Sequence, residues 1–473
     1  MGVWTDYERD LIDLDSYINN LGIPVDVDLA RHYIEIVEKQ SEDLKEKCKK
    51  ITGGISPTQV AKLLEWVNQQ RPVKIPNLQT ETLNNLDLEP GTDLHTVISA
   101  RKMLGMASVK KLPKILDVEV DGRLHQQFIV FGALTGRWAA RLVQPMNFKK
   151  PDFDITEQMI ADVKQYDFED LSPIYDNLIP IIGSSMRHLI AAKPGNKLYI
   201  GDFSNIESRL LFWAAGDDTG YNEYKNKVKL YERMAAFVFG IDENEVAKDS
   251  LERFCGKQAV LSCGYGCGPD KFQTMCAGYG QDIDIEIARK CVKGFREKYH
   301  KVKSFWRDMD KAAENALFSG KPEQIGPFTV ESDGNGKGST RMVLPSGRRI
   351  YYPEMRYGEG DYGRGLYYKK RKSGGMFETY TYGAKLVENG VQAMAFDVTG
   401  NGMIKHQKNG FFPFMNIHDE VIGEVPEECD QLDEFKQLME QHPWWLPDDF
   451  PLASEVGEYK NYGKEILNAT IQT

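Results

Sequence analysis

Gly201-Asp-Phe-Ser-Asn-Ile-Glu-Ser-Arg209 and Asn416-Ile-His-Asp-Glu-Val-Ile-Gly-Glu-Val425 decide how this chain is read. The first continues Lys197-Leu-Tyr-Ile200, so it reads as a buried strand that ends in an aspartate. The second is an apolar run interrupted by His418-Asp-Glu420, a strand and turn carrying acids. Each segment sets a carboxylate at the rim of a rigid element. Brought side by side on adjacent strands, Asp202 and Asp419 would offer hard oxygen ligands to two magnesium ions, which favour carboxylates combined with substrate phosphates. That is an arrangement for phosphoryl transfer, in which ions about 4 Å apart activate an attacking hydroxyl and stabilise charge on the reacting phosphorus. Either aspartate taken alone would read as a turn cap.

Working outward, the chain has 473 residues, enough for about two to four structural units. Apolar residues make up 41% and charged residues 27%, with no long uncharged apolar run and no signal-peptide pattern after Met1. This excludes a membrane-spanning or secreted protein. Seven cysteines, an odd number in a chain with a full apolar complement, read as reduced thiols and predict a cytoplasmic address. The net charge of −11 argues against a polyanionic partner, but the distribution is uneven. Residues 101–150 hold ten Lys/Arg against three Asp/Glu, 341–385 is similarly basic, and 424–458 is acidic apart from Lys436. Two basic stretches can line a nucleic-acid path; either alone reads equally as a solvated face.

Texture divides the chain. Residues 7–114 read as helical, with apolar positions at helical spacing over 29–50 and a further helix from Pro57 through Trp66. Sheet texture is expected over 123–147 and 197–203, long helices over 208–311, hairpins rich in Gly, Tyr and Arg over 328–382, and sheet again over 414–425. With no repeat or low-complexity linker, the sheet elements on either side of the helical middle are expected to form one interrupted domain.

Within the middle, Arg253, Lys257, Leu261 and Tyr265 recur at intervals of four. On a helix they form one slowly spiralling stripe rising about 6 Å per step, so two cations can grip phosphates while Leu261 and Tyr265 lie beside sugar and base. Gly264, Gly266 and Gly268-Pro269 would end that helix. Alone, the stripe would read as a surface helix with a basic and an apolar side.

Taken together and in order, these segments resemble the family A DNA polymerases. Asp202 to Arg209 is similar to the first palm motif, Arg253 to Gly266 to the fingers helix, and Ile417-His-Asp-Glu-Val421 to the second palm motif. Leu134-Thr-Gly-Arg-Trp-Ala-Ala-Arg141 with Gln144 and Asn147, residues 187–195, Leu344-Pro-Ser-Gly-Arg348, and Val387-Glu-Asn-Gly-Val-Gln392 with Asp397 match further family segments, in the phrasing of the phage branch. So many ordered matches exceed what single short motifs carry. The resemblance implies an α+β right-hand polymerase fold: a helical thumb at 1–122, an antiparallel palm sheet from 123–212 and 383–473, and helical fingers at 213–382. It implies template-directed addition of deoxynucleotides to a primer end with two Mg2+ ions, Mn2+ able to substitute, by a monomer working in phage DNA replication in the host cytoplasm.

By the family pattern Asp202, Asp419 and the carbonyl of Phe203 hold the ions, with Glu420 in support. Arg253 and Lys257 bind the β- and γ-phosphates, Lys257 protonates the departing pyrophosphate, and Tyr231 stands where another phosphate contact is expected. Glu207, held by Tyr265, matches the gate against a ribose 2′-hydroxyl. Arg137, Gln392, His418, Asn389, Gln144 and Asn147 are expected along the DNA, the first three in the minor groove, where base-pair shape is checked without reading sequence. Asn389 and Gln392 stand one residue closer than in bacterial polymerase I. Leu261 replaces an aromatic residue and is expected to disfavour dideoxynucleotides. Asn19-Asn-Leu-Gly-Ile-Pro-Val-Asp26 resembles the start of the thumb, so a proofreading exonuclease is not expected in this chain; a separate exonuclease or a processivity factor is a possible partner.

Cys263, Cys267, Cys276 and Cys291 lack paired C-x2-C spacing and do not read as a zinc site. Tyr351, Tyr352, Tyr357, Tyr362, Tyr367 and Tyr368 among basic residues fit either stacking on single-stranded template or hairpin packing. Trp444 and Trp445 read as packing residues. Two other classes compete: a single-subunit RNA polymerase, against which Glu207 and Glu420 argue, and a non-catalytic DNA-binding relative, which would have lost the metal ligands that are present here.

Overall fold

The computed structural model describes residues 4–152, 154–372 and 374–465. The chain opens with helix α1 (Asp6–Leu21), started by a capping box in which Thr5 accepts from Glu8 N while the Glu8 carboxylate accepts from Thr5 N. Its buried stripe, Tyr7, Leu11, Leu14 and Ile18, follows helical spacing. Asp26 caps α2 (Val27–Thr52), which ends at Gly53 in the left-handed conformation. The next helix covers Val60–Gln69, three residues beyond the expected start at Pro57.

The sheet texture expected over 123–147 resolves into two-residue strands only. Arg123–Leu124 pairs with Ile23–Pro24 and Glu119–Val120, and Phe128–Ile129 pairs with Ala139–Ala140. Pairing therefore runs across the expected boundary at 122/123. Seven left-handed residues from Asp121 to Gln144, five of them not glycine, keep turning this stretch before a long strand can extend.

Strand β1 (Asn196–Phe203) feeds through Ser204 and Asn205 into α3 (Ile206–Ala215), which crosses the expected boundary at 212/213. Then follow α4 (Leu230–Phe239), α5 (Leu251–Ser262), α6 (Ile285–Lys298) and α7 (His300–Ser319). Gly256 of α5 lies so close to α4 that a Cβ there would meet the Tyr231 carbonyl at 2.3 Å. The last part of the expected fingers is the hairpin region read at 328–382: among the described residues, 323–381 forms a six-stranded antiparallel meander with every strand beside its sequence neighbour. Its alternation of buried and exposed residues, as in Arg349–Gly358, is the hairpin signal visible in the sequence.

Helix α8 (Gly383–Lys408), buried almost all round, leads to β2 (Phe412–Ile417), β3 (Glu420–Pro426), α9 (Leu432–Glu440) and β4 (Ser454–Tyr459). The four strands form one antiparallel sheet in the order β2-β3-β1-β4. As a central strand, β1 buries Leu198, Tyr199 and Ile200 in succession, and α9 comes so near that a Cβ on Gly201 would stand 2.2 Å from Met439 Sδ. This sheet joins 196–203 to 412–459 across the intervening helices and meander, as expected of an interrupted domain. Among the described residues no helix is long and apolar enough to cross a membrane.

Candidate active site

Register places the acids. Asp202, one residue before the end of β1, stands opposite Glu420 of β3 and Glu455 of β4. Directly opposed residues share a sheet face, so three carboxylates form a row across three strands. Asp419 belongs to the two-residue turn between β2 and β3, where His418 adopts φ +58°. Asn416 braces this turn, donating from Nδ2 to the carbonyls of His418 (3.3 Å) and Glu420 (3.0 Å). Phe203 N donates to the Asp419 carbonyl at 3.2 Å, fixing that turn to the end of β1. The two aspartates distant in sequence thus line one cleft of about 540 Å³, with Phe203, Glu207, Tyr231, Lys257, Leu261, Tyr265 and Glu455 around them.

The cleft is electrostatically loaded. Burial and then the neighbouring Asp202 push the Asp419 carboxyl up to about 7, while burial and then Glu420 raise Asp202. A carboxylate row held this way by the backbone calls for positive charge. Among the described residues no three or more His, Cys, Asp or Glu side chains converge as a cage. Two acids and a backbone carbonyl open to a cleft instead fit a divalent cation that completes its shell with substrate phosphates. Glu420 itself is buried and paired with Lys464 at 2.9 Å.

Ser250 caps α5 by accepting from Arg253 N, and the stripe expected on this helix is present. The helix stops at Ser262, and a single 3-10 turn over Cys263–Tyr265, closed by Gly266 at φ +79°, still delivers Tyr265 to the cleft. Lys257 and Leu261 are exposed there. Arg253 lies outside the cleft lining: its Nε donates to Glu232 at 2.8 Å and its guanidinium sits 5.7 Å from the Tyr231 ring centre. Tyr231 donates to Asn205 Oδ1 at 2.7 Å. Glu207, in the first turn of α3, accepts from Arg137 on one oxygen and from the Tyr265 hydroxyl at 3.4 Å on the other. Burial and then Glu207 raise the Tyr265 phenol, and burial and then Arg137 lower His418, which places these groups within mutual electrostatic reach.

The other expected DNA contacts divide. Gln392 is half-buried on α8, donating to Glu388 at 3.4 Å. Gln144 and Asn147 are exposed and bonded to each other at 3.1 Å, away from the cleft lining. Asn389 needs correcting: it is 5% exposed and donates to the Tyr352 hydroxyl at 3.1 Å, so its side chain faces the core. Glu388, one residue earlier, is half-buried and meets Gln392 and Lys385.

Two residues at or behind the site, Glu455 and Glu232, went unnoticed in the sequence, and two more were matched there without a role. Glu455 stands in a short alternating strand with no motif around it; Glu232 shows its purpose only through Arg253. Arg348 and Asp397, seen only as family matches, form a fully buried ion pair, with Ser346 donating to Asp397 at 2.5 Å. The Arg348 guanidinium also donates to the carbonyls of Thr135 (3.3 Å), two residues before Arg137, and Ala393 (3.1 Å).

Overall, the chain has the fold of a polymerase domain: it aligns with the polymerase domain of Pol1 from M. smegmatis, solved with DNA primer-template and dNTP, at a TM-score of 0.64 and 18% identity, over 97% of this chain and 70% of that one. The family profile for DNA polymerase family A matches residues 27–320. The DNA polymerase of Bacillus phage SP02 is 31% identical over 465 residues, covering 95% of this chain and 69% of the relative. DNA polymerase I of Aquifex aeolicus is 26% identical over 311 residues, covering 63% of this chain and 47% of that protein. The chain belongs to DNA polymerase family A. As a DNA polymerase it is a nucleotidyltransferase.

Proposed function

We propose that this chain lengthens the 3′ end of an annealed primer with deoxynucleoside triphosphates, in phage DNA replication within the host cytoplasm. The observation that carries this reading is the facing of Asp202 and Asp419 by Lys257 across one cleft. Asp202, Asp419 and the Phe203 carbonyl would hold divalent cations, Mg2+ or Mn2+, which when bound supply Lewis-acid charge at the reacting phosphorus. Lys257, exposed and aimed into the cleft, grips the triphosphate and gives its proton to the departing pyrophosphate. Arg253 joins it on exchanging Glu232 for phosphate, and Tyr231 offers one hydroxyl hydrogen bond. Glu420, neutralised by Lys464, keeps Asp202 in register without adding free charge.

Glu207, fixed between Arg137 and Tyr265, is the wall against a ribose 2′-hydroxyl. Arg137, His418 and Gln392 follow the primer-template minor groove, with Gln144 and Asn147 further along the duplex. The thumb, palm and fingers divide near 122, 212 and 382, with the meander belonging to the fingers. The test is extension of a labelled primer with Mg2+ present or chelated, supplied with deoxy- or ribonucleotides. Extension only with the cation and at least about tenfold better use of deoxynucleotides is expected; preference for ribonucleotides overturns the assignment. Leu261, exposed and aliphatic, cannot replace the hydrogen bond of a missing 3′-hydroxyl. Leu261→Tyr is therefore expected to raise dideoxynucleotide incorporation at least about tenfold in a competition assay, since one hydrogen bond to a charged group contributes about 1.5–3 kcal/mol.

A further inference from the structure

Six tyrosines in or next to the meander form two sets. Tyr352, Tyr367 and Tyr368 are buried and pack the sheet. Tyr362, Tyr380 and Tyr382 instead form a stacked ladder on its surface: Tyr362 on Tyr380 at 5.6 Å and 30°, Tyr380 on Tyr382 at 5.9 Å and 27°. Tyr362 is 76% exposed and Tyr382 39%. The outermost ring is nevertheless held in place. Tyr367 donates from its hydroxyl to the Gly363 carbonyl at 2.7 Å and accepts from Tyr362 N at 3.1 Å, pinning the loop that presents Tyr362. Gly365 leaves room for Tyr380: a Cβ there would stand 2.7 Å from its ring. Keeping a large ring fixed and in water leaves apolar surface unburied, which a purely structural loop has no reason to do.

The inner end of the ladder reaches the active site. Tyr382 immediately precedes α8, and a Cβ on Gly266 would lie 3.7 Å from its ring; Tyr265, the neighbour of Gly266, lines the cleft. The surroundings are basic: residues 341–385 hold ten Lys/Arg against four Asp/Glu. Of those four, Glu378 is neutralised by a two-pronged pair with Arg356 at 2.8 and 2.6 Å, and Asp361 lies beside Tyr362. Aromatic faces continuous with a nucleotide cleft, on a basic support, suit unpaired bases, because every base offers a π-face whatever its sequence.

We propose that Tyr362, Tyr380 and Tyr382 are a stacking track for the single-stranded template ahead of the primer end. The proposal rests on the polymerase reading above. Tyr362→Ala, Tyr382→Ala and the double variant are compared with wild type by anisotropy on two duplexes, one blunt and one with a template 5′ overhang of about six nucleotides. The expected result is binding to the overhang duplex weakened about tenfold by each alanine, unchanged binding to the blunt duplex, and recovery with Tyr362→Phe. Equal loss on both duplexes, or none on either, overturns the track. So does a loss seen only when a downstream strand must be displaced, which would assign the ladder to that strand. Failure of the polymerase reading would show separately, as absence of extension by the wild-type protein.

Discussion

Asp419→Asn is expected to lower the rate of primer extension by at least about 10³-fold while making the cation-free protein more stable above pH 7. The catalytic loss follows from removing one of the two aspartates proposed to hold the cations, since a Lewis-acid site contributes several kcal/mol to such a step and about 1.4 kcal/mol is tenfold. The stability gain follows from linkage. Burial and the nearby Asp202 raise Asp419 from an ordinary 3.8 to about 7 in the folded protein. Between those two values the native state binds more protons than the unfolded chain, so wild-type stability falls as pH rises and is fully reduced above 7. Asparagine carries no such penalty. Its advantage is therefore absent near pH 4 and grows through pH 7, to at most about 4 kcal/mol at about 1.4 kcal/mol per unit. Urea unfolding with a chelator at pH 4.5 and 8, beside single-turnover extension, checks both halves; equal gain at the two pH values would show that Asp419 is not a buried, raised acid.

Arg348→Met is expected to cost about 3–5 kcal/mol of stability, the usual result of stranding one member of a buried pair. Asp397 is completely buried and would keep only Ser346 as a side-chain partner. Arg348→Met combined with Asp397→Leu should recover much of the loss, because the uncompensated charge is gone. The double variant then isolates what the pair does for the site. Arg348 holds the Thr135 carbonyl, and Gly136, at φ +88°, lies where a Cβ would be 2.1 Å from Arg348 Nη1. Arg137 leaves this turn to meet Glu207. A refolded double variant should therefore discriminate ribonucleotides less well, by about tenfold, with folding measured by denaturation and selectivity by competing nucleotides. Unchanged selectivity would confine Arg348 to the core.

How much of this was legible before any coordinates depended on range. The α5 stripe was, because spacing along one helix is local; so were the strand ending at Asp202 and the strand and turn carrying Asp419, as apolar runs with acids at their ends. The hairpins of 323–381 showed in their alternation, but not their union into one sheet. Residues 123–147 carried strand-like composition while their left-handed turns, visible only in the backbone, broke it into pairs of residues. The inward turn of Asn389 could not be read because α8 is buried on nearly every side and so has no polar stripe to give its orientation. Glu455 meets Asp202 only through strand pairing, which leaves no trace at either position.

The flush contact of Gly256 on α4 has a mechanical consequence. With no space between the Tyr231 carbonyl and the backbone of α5, a displacement of α5 with Lys257 and Arg253 would have to carry α4 and Tyr231 with it. The Tyr231 hydroxyl is meanwhile bonded to Asn205, on the turn after β1. A tilt of α4 and α5 against the palm sheet would have to break this bond, so one phenol oxygen links the proposed phosphate-binding helix to the turn after β1.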